Sequence, residues 1–406
     1  MEIIVIGAGP AGLIAAAEAA KSGCITRLFE RNEKPGKKLY ITGKGRCNVT
    51  NMCSPREFLD NVVTNPKFLY GAINSFTPQN TIALIESMGV KTKIERGNRV
   101  FPLSDKASDI TKALVKNAQK YGVIFQNVDV IDVIKVENGF EIVSQNGNHY
   151  CDKVIFACGG VSYPATGSNG DGFKLAKNLG HEITELRPAL VPIKLKEDVK
   201  TLMGLSLKNV TATVGEGKKA KSLFGEMLFT ANGVSGPIIL SLSSYINKSD
   251  VKGKKLFIDL KPALANDVLD KRILSDFAKF KNKAFKNSLD ELLPKSLIPY
   301  IVERSKIKAD KPVNSISKEE RARLVSLLKG LDFTIDELYA IDSGIVTSGG
   351  VEVSKINPKT MESKIHKGLY FAGEMLDVDA LTGGFNIQIA LSTGYIAGKS
   401  AAVIEE

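Results

Sequence analysis

Residues 2–6 read EIIVI, a β-branched run of the length a buried strand needs. GAGPAG follows at 7–12, and the alanine-rich stretch from about Ala11 to Ser22 predicts a helix. ITRLFE at 25–30 predicts a second strand that ends in an acid. Strand, glycine turn, helix and strand together make a βαβ unit. Amphipathic periodicity then predicts helices around 66–75, 78–88 and 105–121, the last with Ser104-Asp105 as its N-cap. From 123 to 157 the period changes to that of strands: VIFQ, VDVIDVIKV, GFEIVSQ and HYCDKVIFA. Turns at Glu137-Asn138-Gly139 and Gln145-Asn146-Gly147 separate them, the second with the Asn-Gly pair that favours a tight hairpin. VIFACGG at 154–160 ends a strand in a Gly-Gly turn, and a helix is expected near 171–179.

Past RPALVP at 187–192 the pattern is different. Residues 190–260 alternate short strands with Gly and Lys turns, as in SLKNVTATVGEGKKAKS, which predicts a small antiparallel barrel or sandwich. Residues 265–329 are helical and basic, broken at Pro294, Pro299 and Pro312. Glycine-rich α/β character returns from about 337. The expected organisation is one α/β domain, 1–188 plus 337–406, interrupted by a β-barrel-like subdomain at 189–262 and a basic helical subdomain at 263–336. No internal repeat is visible.

Composition narrows the class. Of 406 residues, 43% are hydrophobic and 24% charged, the balance of a soluble globular protein. No apolar run approaches the roughly 20 residues of a membrane span. MEIIVIGAG carries an acid at position 2 and does not read as a secretory signal. The five cysteines (Cys24, Cys47, Cys53, Cys151, Cys158) form no CxxC pair, and their odd number argues against a disulfide framework. A reduced, cytoplasmic setting is expected. His149, His181 and His366 are scattered, so no metal site is expected. Net charge is +11, and residues 252–330 hold 19 Lys and Arg against 10 Asp and Glu. That local surplus of nine suits either a solvated lysine-rich surface or a polyanionic partner.

Gly7, Gly9 and Gly12 have the GxGxxG spacing between a strand and a helix, and Glu30 follows 18 residues after Gly12. The first glycine allows the tight turn, the second lets the backbone approach a pyrophosphate, and the third lets helix and strand pack closely. Glu30 is placed to accept from ribose hydroxyls. A second glycine-rich motif, Gly373-Glu374 and then Thr382–Asn386, precedes a helix expected to start near Asn386. Two distant anchoring segments favour the long dinucleotide FAD over NAD. No second GxGxxG exists, since 157–172 (ACGGVSYPATGSNGDG) lacks the spacing, so a dedicated NAD(P)H domain is not expected.

ITGKGRCNVTN at 41–51 is not a P-loop, because the glycine required at position 38 is lysine. Cys47 and Cys53 have no histidine nearby, which argues against a metal site or an activated nucleophile. The stretch reads as a glycine-rich strap with Arg46 and Asn48 as donors. Cys47 is either a proton donor or redox partner beside a flavin, or a small buried residue that fits the turn.

GAGPAG (7–12), TGKGRCNVTN (42–51), GEMLFTANGVSGP (225–237), TSGGVEVSKINPKTMESK (347–364) and GLYFAGEMLDVDALTGGFNIQIALSTG (368–394) resemble one bacterial flavoprotein family. It is the aminoacetone oxidase family of FAD-binding enzymes, also called BaiN- or YhiN-type NAD(P)/FAD-dependent oxidoreductases. The resemblance runs nearly end to end. It implies a glutathione-reductase-like FAD-binding Rossmann domain interrupted by an inserted small β-barrel plus helical subdomain. It implies that Gly7, Gly9, Pro10, Ala11, Gly12, Glu30 and Arg31 hold the ADP half. Thr42, Gly43, Gly45, Arg46, Cys47 and Asn48 should lie along the cofactor, and Arg46 suits the pyrophosphate ahead of an anionic substrate. Gly373, Glu374 and Asp377 should reach the ribitol, and Gly384, Phe385, Asn386, Ile387 and Gln388 the isoalloxazine. Val130, Ala157 and Gly159 complete the implied cofactor contacts. Two positions depart from the family pattern: Lys44 and Ala380 stand where many members have glycine.

The family name implies amine oxidation with O₂ as acceptor. Other members are linked to reduction of bile-acid intermediates, and YhiN-type members to dihydrouridine synthesis in 23S ribosomal RNA with NAD(P)H as electron source. The basic 252–330 stretch inclines the reading towards uracil reduction in ribosomal RNA. A small-molecule amine oxidase is the alternative, and an FAD-dependent redox sensor or scaffold a third. Aromatics for base stacking are few in that stretch (Phe277, Phe280, Phe285, Tyr300).

Overall fold

A computed structural model describes residues 1–215, 217 and 220–404. Glu216, Lys218 and Lys219, part of an expected turn, lie outside the described residues. The chain forms two compact units: Met1–Ala189 with Ala340–Glu406, and Leu190–Tyr339.

The first unit is built on a five-stranded parallel sheet. Its order is Leu369–Phe371, Lys153–Phe156, β1 (Glu2–Ile6), β2 (Ile25–Glu30) and Ile124–Asn127. A parallel sheet is covered on both faces, which is why β1 is apolar at successive positions. Ile3, Ile4 and Val5 are fully buried. The helix α1 (Pro10–Lys21) connects β1 to β2 and packs on the C-terminal helix Phe385–Ala401. Small residues allow that approach. A Cβ on Gly394 would overlap the Ala11 carbonyl oxygen, and one on Gly398 the Ala15 carbonyl oxygen. Any larger side chain at 394 or 398 would force the two helices apart.

An antiparallel meander, Val130–Val136, Gly139–Ser144 and Gly147–Cys151, carries both expected turns, with Gly139 and Gly147 at positive φ. The helix Pro78–Ser87 starts with a reciprocal cap between Thr77 and Asn80. The helix expected at 105–121 spans Ala107–Lys120 and does not use the expected cap. Asp105 takes a left-handed conformation (φ 56°), and its carboxylate pairs with Lys93 and Arg46 instead.

The second unit is a closed six-stranded barrel with helices packed on it. The strands run Ile193–Leu195, Gly233–Ser235, Lys221–Thr230, Ser206–Val214, Lys255–Asp259 and Leu331–Leu338, which returns to the first. The closing strand, Leu331–Leu338, comes after the helices Asn266–Lys279, Ile298–Ser305 and Lys318–Lys329. Leu256, Ile258, Phe333 and Ile335 of the barrel share one core with Leu269, Ile273, Leu324 and Leu328 of the helices. The insertion is therefore a single body and does not divide near 262. Pro299 does not break a helix: it sits in the first turn of Ile298–Ser305, where its missing N–H is harmless. Among the described residues no helix is long and apolar enough to cross a membrane, and no cluster of metal-ligating side chains is found.

Candidate functional site

In the first unit, three segments that are distant in sequence come together: the turn 7–12, the strap 42–51 and the segment 373–388.

The turn is fixed by its glycines. Gly7 has φ 101° and donates its N–H to the Phe29 carbonyl at 2.8 Å. A Cβ on Gly7 would come within 2.5 Å of the Ala157 carbonyl oxygen, and one on Gly12 would overlap the Gly7 carbonyl oxygen. These two glycines are required for packing. Gly9 differs: a Cβ there meets nothing within 4 Å, so the turn presents an open backbone face at that point. Gly9 is the N-cap of α1 and Pro10 opens the helix, with no side chain capping the first turn.

Glu30 latches the turn to β2. Its Oε2 accepts from the Ala8 N–H at 2.8 Å, and its Oε1 accepts from Asn32 through the backbone N–H (2.9 Å) and Nδ2 (2.7 Å). Each carboxylate oxygen has two lone pairs, so Oε2 retains one for a further hydroxyl. Arg31 is engaged by Asp129 (2.7 Å) and Asp171 (2.9 Å). The Asp171 carboxyl is held down at about 2, chiefly by Lys174 and then by Arg31 and Asn169, against burial. Val130 begins its strand beside Asp129, Ala157 packs under Gly7, and Gly159 (φ 79°) faces Ser168. The role of Asn32 was not foreseen; its only sequence signal is its place two residues after the acid.

The strap is dense in left-handed backbone. Gly43, Lys44, Gly45 and Cys47 all have positive φ (55°, 58°, 83° and 60°). Lys44 thus keeps a conformation that glycine adopts without strain. The Thr42 hydroxyl donates to the Leu39 carbonyl at 2.7 Å. The Cys47 thiol is fully buried and is pushed up to about 12 by burial, against a hydrogen bond with Thr42. It is no thiolate nucleophile near neutral pH. Arg46 does not stand free for a phosphate. Its guanidinium pairs with Glu95 and Asp105 and lies 4.2 Å from the Phe101 ring centroid.

The strap and the C-terminal segment interlock. The Thr50 hydroxyl donates to Gln388 Oε1 at 2.6 Å, and Asn51 Nδ2 donates to the Gly383 carbonyl at 3.1 Å. Gly384, with φ 95°, is the N-cap of Phe385–Ala401, and a Cβ there would meet the Thr50 carbonyl oxygen at 2.5 Å. The same Cβ would lie 2.9 Å from Asn48 Oδ1, a buried acceptor with no hydrogen-bond partner among the described residues.

Several residues implied at the isoalloxazine serve the protein itself. Asn386 ties down the Ala380 peptide, donating to its carbonyl (2.8 Å) and accepting from its N–H (3.0 Å). Gln388 donates to the Phe76 carbonyl, Phe385 packs edge-on against Phe58, and Ile387 is partly buried against the core. Ala380 itself is fully buried in a short ladder with Val62.

Gly373 abuts α1: a Cβ there would stand 2.9 Å from the Ala11 Cβ. The adjacent Glu374 carboxylate accepts from Lys38 Nζ (2.8 Å), the Ser162 hydroxyl (3.0 Å) and the Thr347 N–H (2.8 Å). Burial pushes this carboxyl up, but the Lys38 charge and these hydrogen bonds outweigh burial and hold it below the usual range. Lys38 also donates to Ser162 at 2.7 Å. Asp377 receives Asn65 Nδ2 on its carbonyl at 2.8 Å. Lys38, Ser162 and Thr347 carried no recognisable signal in the sequence.

These features suit FAD. Two helix N-termini, α1 and Phe385–Ala401, lack side-chain caps, and unfilled first-turn N–H groups attract anionic or carbonyl oxygen. The open backbone at Gly9 and the unpaired Asn48 Oδ1 add an approach for a pyrophosphate and an acceptor for an N–H or hydroxyl.

The HI0933-like protein Rossmann domain matches residues 1–400. A 3-dehydro-bile acid delta(4,6)-reductase from Clostridium scindens is 32% identical over 405 residues, covering 98% of each chain. A ribosomal RNA dihydrouridine synthase from Haemophilus influenzae is also 32% identical, over 409 residues and 98% of each chain. Among solved structures, the 3-ketosteroid-delta4-(5alpha)-dehydrogenase from Rhodococcus jostii RHA1 superposes with a TM-score of 0.53 at 14% identity. That alignment covers 99% of this chain and 97% of the other, and at such identity it speaks for the fold alone.

Proposed function

We propose that this chain, which belongs to the HI0933-like Rossmann-domain family and is an FAD-dependent oxidoreductase, reduces a uracil base in 23S ribosomal RNA, with NAD(P)H as electron source. The observation that carries the reading is the surplus of nine positive charges in residues 252–330. A small neutral substrate has no use for so large a basic surplus, whereas a phosphate backbone does.

FAD, when bound, supplies two-electron transfer; the protein supplies placement and electrostatics. The first turn of α1 and the open Gly9 face would hold the pyrophosphate. The lone pair left on Glu30 would take a ribose hydroxyl. The N-terminus of Phe385–Ala401 would favour negative charge on the ring end of the cofactor, through its uncapped N–H groups and dipole. The Lys38–Glu374–Ser162 cluster ties three loops together beside Gly373 and keeps the segment next to α1 in place. Cys47 acts through packing, because a thiol held near 12 is a poor proton donor at neutral pH.

The equal identity to a bile-acid reductase supports a second reading, reduction of a steroid enone. Purified holoenzyme, NADPH and an unmodified 23S transcript test the choice. Dihydrouridine should form in the transcript, and no hydrogen peroxide should be released with aminoacetone. Reduction of a steroid enone with none of the RNA would replace the first reading by the second. Rapid peroxide release with an amine would replace both by an oxidase.

A further inference from the structure

The second unit carries a lysine cluster that is not spread evenly over its surface. Two segments are strapped side by side by backbone hydrogen bonds. Phe285 N–H donates to the Lys311 carbonyl (2.9 Å), Lys286 N–H to the Ala309 carbonyl (3.0 Å) and Val313 N–H to the Lys283 carbonyl (3.1 Å). The pairing runs antiparallel and sets Lys283 and Lys286 of one segment beside Lys311 and the neighbour of Lys308 on the other, with Lys281 and Lys306 further out along the two segments. Two of the six are neutralised, Lys286 by Asp310 and Lys311 by Glu320. Lys281, Lys306 and Lys308 are exposed and have no acidic partner among the described residues. Lys283 lies over the Phe280 ring, 4.1 Å from its centroid, and also lacks an acid. The four unneutralised cations therefore lie on these two paired segments.

A groove of about 540 Å³ opens at the pairing, reached by Lys286 and by Ile307, which stands between Lys306 and Lys308. Ile298, Val302 and Ile307 are buried residues that line it, and Lys286, Asn287 and Glu303 are exposed on it. Apolar walls beside unpaired lysines make a poor site for a small anion, which needs dense donors. They suit a single strand of RNA, with phosphates on the lysines and an unstacked base over the apolar floor, where Asn287 and Glu303 can meet base or ribose hydrogen-bonding groups.

We propose that these two paired segments, through Lys281, Lys283, Lys306 and Lys308 and the groove between them, anchor single-stranded ribosomal RNA. The proposal rests on the RNA reading of the function. It assigns the substrate a second foothold, in the inserted unit.

The test uses FAD-loaded protein and filter binding of an unmodified 23S transcript between about 50 and 200 mM salt. Lys281→Glu/Lys283→Glu and Lys306→Glu/Lys308→Glu should each flatten the salt dependence by about 1.4, roughly 0.7 for each lost phosphate contact. Lys112→Glu/Lys116→Glu, an exposed pair on the helix Ala107–Lys120, matches the charge change and should leave the slope as it is. Unaltered flavin absorbance and NADPH reduction in each variant separate docking from folding. Oligouridylate should bind at least about fivefold more tightly than an abasic strand of equal charge. Equal slopes in wild type and both double variants, while wild type still forms dihydrouridine, would overturn the anchor and leave the function standing. A control pair that flattens the slope equally, or equal binding of the abasic strand, would also overturn it. A wild-type protein that neither binds nor modifies the transcript overturns the function and the anchor together.

Discussion

Replacing Glu374 by Gln removes the charge that neutralises Lys38 while keeping the shape of the side chain. The carboxylate accepts three hydrogen bonds, one from an ammonium, one from a hydroxyl and one from a backbone N–H. Removing one partner of a buried ion pair costs about 3–5 kcal/mol, because the other charge stays behind unpaired. Lys38 and Glu374 side chains are 22% and 19% exposed, so some water reaches the pair and the lower end applies, about 3 kcal/mol. Lys38→Met/Glu374→Gln should recover part of the loss, about 1–2 kcal/mol, because no charge is then left alone. Urea denaturation of the four proteins of this cycle, stripped of FAD, reads the coupling without any help from the cofactor. The pH dependence has a definite sign. The folded-state carboxyl is held below the usual glutamate range, so its contribution is complete above that range and is lost as pH falls from there through the lower folded value. A Glu374→Gln loss under about 1 kcal/mol, or a double variant no more stable than the single, would refute the pairing as the force that holds the three loops.

Gly9→Ala should fold with an unchanged melting temperature, since a Cβ there meets nothing within 4 Å, yet bind FAD at least about tenfold more weakly. Wild-type FAD affinity in that variant would move the pyrophosphate away from the turn. Cys47→Ser should retain bound FAD and turnover within about twofold, whereas a loss beyond about a hundredfold would give the sulfur a chemical role. His181, buried with Nε2 3.0 Å from the Ser363 hydroxyl, has its pKa lowered from 6.5 to about 4 by burial and by His366. Above 6.5 it contributes nothing to the pH dependence. Between 6.5 and 4 the unfolded chain binds a proton that the folded chain refuses, so stability should fall by up to about 3 kcal/mol. His181→Gln should flatten that limb of a stability-against-pH curve, and an unchanged limb would place the acid sensitivity elsewhere.

Local motifs were readable wherever the physics is local. The βαβ unit at 2–30 follows from glycine spacing and apolar runs, and the turns at Gly139 and Gly147 from residues that tolerate positive φ. The helix start at 105 was misplaced because Asp105 is drawn to Lys93 and Arg46, and the Ser104 hydroxyl accepts from the Lys106 N–H and donates to Asp109. Arg46 looked like a phosphate ligand because Glu95 and Asp105 lie 49 and 59 residues away in the chain. Lys38 and Glu374, separated by 336 residues, could not be paired from periodicity at all. The insertion looked like two pieces because strands and helices occupy separate stretches. The strand Leu331–Leu338, which closes the barrel after the helices, joins them into one core.

The central claim is that a uracil in ribosomal RNA is the substrate. A dihydrouridine map of ribosomal RNA from a strain lacking this gene, beside its parent and a complemented strain, tests it most directly. Loss of dihydrouridine at a 23S position, restored by the wild-type gene, is the predicted result. A map identical to that of the parent would contradict it.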